Sequence, residues 1–193
     1  IIVFAILPMV ANAYIVFVAN LALMYILLSV GLNMLLGYAG QLAFPNAALF
    51  GVGAYTSGLL RLEFDLPYWI TLPAGAAFAT LIGLAIALPA LRLRGLYLAL
   101  ATIAFAQAAL WVFGHWNSVT YGGAGFRVPP MDFSPLPLDP PTGIYYLTLI
   151  IVLVAVPLGW NIVRSRIGRA WVALRESEVA AETLGIDLTR YKA

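Results

Sequence analysis

The first sixty residues of this 193-residue chain contain no Asp, Glu, Lys, Arg or His. A soluble domain of this size cannot hide so long an apolar segment, because a small fold leaves much of its chain in water and needs charge on that surface. The run is also about three times the ~20 residues that span a bilayer, so it must fold back on itself within the membrane. The sequence therefore predicts an integral membrane protein.

Composition supports this prediction and excludes several functions. Hydrophobic residues make up 63% of the chain and charged residues 9%, against roughly 45–50% and 25% in an ordinary soluble domain. The formal charge of +2 is too small to indicate nucleic-acid binding. The absence of Cys excludes disulfides, thiolate metal sites and cysteine nucleophiles. We expect no catalytic residues, no metal and no cofactor.

The charges fall into clusters, and the uncharged stretches between them are each long enough for one helical crossing. Backbone groups inside a bilayer must bond to one another, and the alternation of a membrane β-strand is missing, so these crossings are predicted to be helices. The predicted fold is all-α, a polytopic transmembrane helical bundle that forms a single domain over 1–193. Its helices are predicted near 1–10 (truncated), 14–36, 46–60, 67–90, 95–114 and 143–163.

Two glycines and a proline interrupt the apolar run, at Gly37, Gly40 and Pro45. Pro45 lacks an amide hydrogen and disfavours helix in the residue before it, which predicts a broken helix followed by a short one. Unwound backbone at membrane depth occurs inside protein or beside a water-filled cavity. The polar side chains near this break, and two in the crossing at 95–114, are candidates for a translocation path: Asn33, Gln41, Asn46, Thr102 and Gln107. Simple interhelical hydrogen bonding is an equal alternative for them, and the small residues that follow favour close helix packing.

The cations predict the orientation. If crossings alternate, eight of the ten Lys and Arg lie on one side, which becomes the cytoplasmic side: Arg92, Arg94, Arg164, Arg166, Arg169, Arg175, Arg190 and Lys192. The loop 115–142 is then external, Glu63 and Asp65 form a solvated loop pair, and His115 is an interfacial anchor. Five aromatic residues suit the interfacial belt on this side: Trp111, Trp116, Tyr121, Tyr145 and Tyr146.

The segment 164–193 is predicted to be a cytoplasmic loop with a short amphipathic helix. An apolar stripe at helical spacing begins at Ile167 and continues to Leu184, and Gly185 suits a left-handed C-terminal cap. Periodicity alone leaves two interpretations open. The helix rests on lipid headgroups, or it docks to a cytoplasmic partner.

Four segments of the chain, in order and spacing, resemble the branched-chain amino acid ABC transporter permeases. They are 31–56 (from GLNMLLGYAGQLAF to FGVGAYT), 91–105 (LRLRGLYLALATIAF), 117–126 (NSVTYGGAGF) and 168–186 (GRAWVALRESEVAAETLGI). Together they cover most of the chain. Permeases of this family continue for several further helices, so the resemblance also suggests a fragment without the C-terminal part.

The resemblance implies that the last segment is the permease coupling loop that docks to an ATP-hydrolysing subunit. The family pattern of Glu-Ala-Ala, three residues and Gly is matched at Ala180, Ala181 and Gly185, but Val179 stands where Glu is expected and Glu178 lies one place earlier. The implied coupling residues are Arg169, Arg175, Glu178, Ala180, Ala181 and Gly185. The implied partners are a second permease subunit, two cytoplasmic ATP-binding subunits, an external solute-binding protein and membrane lipid, with no nucleic acid.

The resulting hypothesis is a transport subunit of the bacterial inner membrane, not an enzyme. It would carry branched-chain or related hydrophobic amino acids, driven by partner ATPases through 167–185. Alternatives are a permease of the same family for another small solute such as urea, and a secondary transporter or channel without an ATPase. The sequence contains no acidic residue inside a predicted span, which argues against an ion-coupled carrier.

Overall fold

A computed structural model of the chain describes residues 4, 7–8, 11–41, 43–90, 93, 95–131, 139–177, 181, 183 and 185. Most of the predicted first helix, near 1–10, lies outside these residues, although Phe4, Leu7 and Pro8 are helical. Within the described ranges every regular element is a helix.

Six helices are labelled here in chain order. They are α1 (Ala13–Asn33, continued by a π-helical turn Met34–Tyr38), α2 (Asn46–Phe64), α3 (Tyr68–Ala90), α4 (Leu96–His115), α5 (Pro140–Arg164) and α6 (Arg166–Glu176). Among the residues that the structure describes, four segments are long and apolar enough to cross a membrane: Ala13–Tyr38, Tyr68–Pro89, Leu96–His115 and Pro140–Arg164. Their outer faces expose large apolar side chains such as Phe17, Leu81, Leu110 and Ile150, as lipid-facing surfaces do. The predicted all-α transmembrane bundle is confirmed.

Helices α1 and α5 lie side by side around the main apolar core. Val16, Leu23, Leu149 and Val152 are buried there, and Tyr145 is completely buried among them. The Tyr145 hydroxyl donates to the carbonyl of Phe4 at 2.8 Å. Tyr145 is therefore a core residue, and the prediction that it belongs to the lipid-facing interfacial belt is wrong. A tyrosine can be buried here because the carbonyl of Phe4 satisfies its hydroxyl inside the bundle.

Glycines set the packing of α2 against its neighbours. A Cβ at Gly75 of α3 would stand 2.6 Å from the carbonyl oxygen of Gly53 and 3.1 Å from Ser57 Cβ, so the two backbones touch there. A Cβ at Gly51 would stand 2.7 Å from the ring of Phe113 in α4. These contacts agree with the packing interpretation of the small residues in α2.

One end of the bundle, called the loop end, is formed by the end of α2, the start of α3 and the residues after α4. Helix α2 extends to Phe64, so Glu63 is helical and not part of a solvated loop. Its carboxylate accepts a hydrogen bond of 2.8 Å from the Tyr121 hydroxyl. The helix lasts beyond the predicted residue 60 because Arg61 finds local partners: its guanidinium donates to the carbonyl of Leu66 and lies over the ring of Tyr68.

The segment 115–142, predicted as a loop, contains helical structure. A helical turn spans Asn117–Thr120, a 3₁₀ turn spans Gly122–Ala124, and α5 already begins at Pro140. Proline is favoured in the first turn of a helix because its missing N–H would be unpaired there in any case. The Pro-Pro pair at 140–141 is thus the start of α5 and not the end of the predicted loop 115–142.

Candidate functional site

The interruption after α1 is a glycine-capped helix end. The amide of Ala39 donates to the carbonyl of Met34 and that of Gln41 to the carbonyl of Leu35, both at 3.0 Å. Gly40 has φ +64°, the left-handed conformation that commonly ends helices and that glycine adopts without steric cost. Gln41 and residues 43–45 are non-helical and α2 begins at Asn46, so the structure has the break that the sequence predicts.

Thr102 of α4 fastens this break to the bundle. Its hydroxyl oxygen accepts a hydrogen bond of 3.0 Å from the amide of Phe44, and it lies 3.0 Å from the carbonyls of Leu98 and Ala99 in its own helix. The side chain is only 4% exposed. Thr102 supplies the acceptor that the non-helical backbone lacks at this depth.

A cavity of about 630 Å³ lies beside the break. This volume is within the roughly 300–1,000 Å³ of small-molecule sites. The break and the start of α2 form one wall, α3 and α4 form the apolar walls, and the end of α6 lines the fourth side. The lining includes Leu35, Gly40, Gln41, Ala43, Asn46, Leu49, Ala79, Thr80, Leu84, Ile86, Ala87, Leu98, Thr102, Trp171, Leu174, Arg175, Glu176 and Ser177.

Helix α6 reaches the break through Arg175. The Arg175 guanidinium donates to the carbonyl oxygen of Gly37 at 2.7 Å, across 138 residues of sequence, and pairs with the neighbouring Glu176 at 3.1 Å. The aliphatic stem of Arg175 lies against Gly40, where an added Cβ would stand 3.0 Å from Arg175 Cβ and 3.2 Å from Cδ. This end of the molecule, with Gly37, Gly40 and Arg175, is called the break end.

Three of the five path candidates line the cavity, namely Gln41, Asn46 and Thr102. Asn33 and Gln107 are exposed and do not line it. The Asn33 side chain lies one turn earlier against Gly37, so it is placed to support the end of α1. A role for any of the five in carrying solute stays a prediction.

Of the implied coupling residues that the structure describes, Arg169 and Gly185 are exposed and Ala181 is buried. Arg169 is exposed and donates to the carbonyl of Arg164, which fixes the corner between α5 and α6. Ala181 is 1% exposed, and its amide donates to the carbonyl of Ser177. Gly185 has the predicted left-handed conformation, with φ +82° and open space around it. Glu178 and Ala180 lie outside the described residues.

The predicted amphipathic helix is shorter than the apolar stripe that suggested it. It ends at Glu176, because Ser177 is extended (φ −161°, ψ 115°) and helical backbone is found again at Ala181. Gly168, Ala170 and Leu174 form its buried face, while Ile167 is exposed. Gly168 is needed at the corner because its Cα lies against the backbone of Val163, where no Cβ fits.

Sequence reasoning missed one feature of the site and one of the loop end. Gly37 and Gly40 were singled out as helix breakers, but their role as the contact surface for Arg175 had no local signal. Such a contact depends on where α6 folds back, which no spacing between nearby residues encodes. The pairing of Glu63 with Tyr121 was missed for the same reason.

Comparison with known proteins gives a consistent result. Residues 14–193 match the family described as "Branched-chain amino acid transport system / permease component". The chain is 31% identical over 199 residues to the high-affinity branched-chain amino acid transport system permease protein LivM of Escherichia coli strain K12, and 30% identical to LivM of Salmonella typhimurium strain LT2. Each alignment covers 91% of this chain and 47% of the relative, so the chain spans about half the length of these relatives. No solved structure matches the chain.

Proposed function

The chain belongs to the family of branched-chain amino acid transport permease components, and from this premise we propose that it works in an ATP-binding-cassette importer. In this proposal it provides a membrane-spanning part of the path for branched-chain or related hydrophobic amino acids. The LivM proteins that it resembles are named as permeases of branched-chain amino acid transport.

The contact between α6 and the break carries this proposal. The two segments that the sequence singles out for separate reasons, the break at 37–46 and the loop at 167–185, meet at Arg175 and Gly37 and line one cavity. A movement of α6 would therefore act on the cavity wall without passing through the rest of the bundle. That arrangement suits a path opened by force on a coupling helix, since packed elements switch between discrete positions.

The proposed orientation follows from the same geometry and the charges. Arg164, Arg166, Arg169 and Arg175 lie on or beside α6, so the break end is assigned to the cytoplasm and the loop end to the outside. The protein is placed in a bacterial inner membrane. Its proposed partners are a second permease subunit and two ATP-binding subunits at the break end, with a solute-binding protein at the loop end.

Substitution of Gly185 tests the docking part. Gly185→Ala and Gly185→Arg both impose a side chain on left-handed backbone, but only the arginine adds bulk and charge to the open space there. We expect Gly185→Arg to lose co-purification of the ATP-binding subunits and ATP-driven uptake, relative to Gly185→Ala. Equal co-purification and equal uptake in the two variants would contradict docking through this segment.

Transport by the assembled complex tests the solute. The full-length protein, reconstituted with its partners in vesicles, should take up leucine, isoleucine or valine only when ATP is supplied. Urea is the comparison solute from the alternative hypothesis. ATP-driven urea uptake without uptake of these amino acids would overturn the substrate assignment while leaving the importer mechanism in place.

A further inference from the structure

The hydrogen bond between Arg175 and Gly37 closes the end of a helix. The last carbonyl groups of a helix have no following amide to bind, and the helix dipole makes this end partly negative. The amides of Ala39 and Gln41 satisfy the carbonyls of Met34 and Leu35, and the guanidinium of Arg175 satisfies that of Gly37 at 2.7 Å. A cation is the donor that such a helix end favours, and charge-assisted hydrogen bonds are the stronger kind.

The glycine cap provides the space for this contact. The stem of Arg175 crosses directly over Gly40, at a distance that leaves no room for a Cβ. Gly40 thus meets two demands at once, left-handed backbone and close approach of a side chain. Gly125 at the loop end also has a positive φ, +62° with ψ −173°, but nothing lies within 4 Å of a Cβ added there.

The same side chain is part of the cavity wall. Arg175, Glu176 and Ser177 form the edge of the cavity on the α6 side, and the Glu176 side chain is 72% exposed, so the cavity reaches solvent beside α6. Gln41 and Asn46 line the wall formed by the break. The bond from Arg175 to Gly37 therefore joins the two walls on either side of this opening.

We propose that Arg175 is a positioning residue that latches the break end of the cavity closed, by holding α6 to the last turn of α1. The inference rests on the proposed function, since it assigns the latch to the path of the importer. When α6 is pulled by its partner, Arg175 leaves the carbonyl of Gly37 and the opening widens. Two neighbouring cations have other contacts, since Arg169 bonds within the α5–α6 corner and Arg164 stacks on Trp160.

Cysteine labelling tests the latch, because residues 1–193 contain no native Cys and the introduced thiol can be followed in its own peptide by mass spectrometry. Ala87→Cys places a single thiol on the α3 wall of the cavity, and Arg166→Cys places one on the exposed start of α6. The assembled full-length complex in inside-out vesicles is treated with a membrane-impermeant maleimide without ATP. The labelling rate at each position is measured with Arg175 present and after Arg175→Ala.

We expect Arg175→Ala to raise the labelling rate of Ala87→Cys about tenfold, the change produced by losing one charge-assisted hydrogen bond from the closed state. Labelling of Arg166→Cys should not change. Arg175→Lys keeps a donor and a charge and should stay near the original rate, and Arg169→Ala, which removes a different α6 hydrogen bond, should not raise it.

An unchanged labelling rate at Ala87→Cys after Arg175→Ala would overturn the latch. A similar increase after Arg169→Ala would also overturn it, because general loosening of α6 would then explain the effect. The labelling requires neither ATP nor solute, so its outcome is independent of the uptake and co-purification measurements. A failed latch with normal ATP-driven uptake leaves the importer standing, whereas an intact latch without uptake contradicts the importer alone.

Discussion

The two ends of the bundle are held together by different kinds of contact. At the loop end, Tyr55 stacks on Phe113 at 4.6 Å between ring centroids and meets Phe126 edge-on at 5.8 Å. At the break end, a cavity that reaches solvent separates the helices. The Arg175 side chain of α6 crosses its opening and donates a hydrogen bond to the carbonyl of Gly37. Apolar packing distributes stability over many contacts, whereas one charged hydrogen bond concentrates it in a single side chain.

This difference assigns a different mechanical property to each end. The aromatic cluster resists opening, because separating its rings exposes apolar area and loses many small attractions at once. The Arg175 contact can be exchanged for water, because its side chain is already 44% exposed. An element that must move is expected at the end with fewer buried contacts.

The largest effect is expected from Gly40→Ala at the break end. The change adds left-handed strain of about 1 kcal/mol, and its methyl group also displaces Arg175, whose charged hydrogen bond contributes about 1.5–3 kcal/mol where it is buried and less at this exposure. Uptake should fall sharply and thermal stability of the purified complex should decrease. Gly40→Ala in an Arg175→Ala background has the same strain without the collision and is the matched control. Equal losses from Gly40→Ala in the two backgrounds would show that Arg175 contributes nothing at Gly40.

Gly58→Ala should lower the stability of the loop end. A Cβ there would stand 2.9 and 3.1 Å from the Phe126 ring and 3.3 Å from Val128, and overpacking of this kind costs about 1–3 kcal/mol. We expect a lower unfolding temperature with uptake less affected than in Gly40→Ala. Gly114→Ala in α4 meets nothing within 4 Å and should stabilise its helix by roughly 0.5–1 kcal/mol. If both substitutions change stability in the same direction, packing at Phe126 does not govern this end.

Thr102→Val tests whether the hydrogen bond from Phe44 to Thr102 holds the break against α4. Loss of the hydroxyl leaves the amide of Phe44 without its acceptor, which would cost about 1–3 kcal/mol for a fully buried donor and costs less for this part-buried one. Hydrogen exchange at the Phe44 amide should become faster by a corresponding factor. Thr148→Val is the control, because the hydroxyl of buried Thr148 donates to the carbonyl of Ile144 in its own helix and, among the described residues, accepts from no amide of another segment. Unchanged exchange at Phe44 would mean that other contacts hold the break.

The smallest effect is expected at the Tyr121–Glu63 pair of the loop end. The hydrogen bond to the Glu63 carboxylate, and its negative charge, raise the pKa of Tyr121 above the usual value of 10.0. The contact is therefore fully present below about pH 10 and is lost as the pH rises through the raised pKa. This pKa is measured by following the ultraviolet absorbance of tyrosinate against pH in the native protein and in Tyr121→Phe, and taking the difference between the two curves. Glu63→Gln retains an acceptor without the charge, so it should return the pKa towards 10.0, and an unaltered titration would contradict the assignment.

Local sequence features predicted much of the fold. The glycines, Pro45 and the lengths of the uncharged stretches were sufficient to predict the membrane spans, the break at 37–46 and the left-handed Gly185. Each of these features depends on residues that are close in the sequence. The predicted helix ends were less accurate. Helix α2 continues to Phe64, where Arg61 makes contacts that the hydrophobic pattern does not show, and α5 begins at Pro140, before its apolar residues.

The sequence predicted some residues of the candidate site, but not which of them lie together around the cavity. Thr102 and Gln41 were chosen as polar residues in apolar surroundings, and both line the cavity, whereas Asn33 and Gln107 satisfied the same criterion and do not. Polarity selects residues that need a partner or water, but the direction of each side chain depends on how neighbouring helices rotate against one another. That rotation comes from packing, as at Gly53 and Gly75.

The sequence by itself determined that this chain lies in a membrane, that it crosses as helices, that the first long helix breaks after Gly37, and that it resembles a permease family. Each of these conclusions follows from composition, from the backbone's need for hydrogen bonds in lipid, or from ordered local motifs. Only the tertiary structure decided that the C-terminal helix returns to the break and that Arg175 binds Gly37 across the opening of a cavity. A contact between residues 138 positions apart depends on the whole path of the chain between them, and no local pattern contains that information.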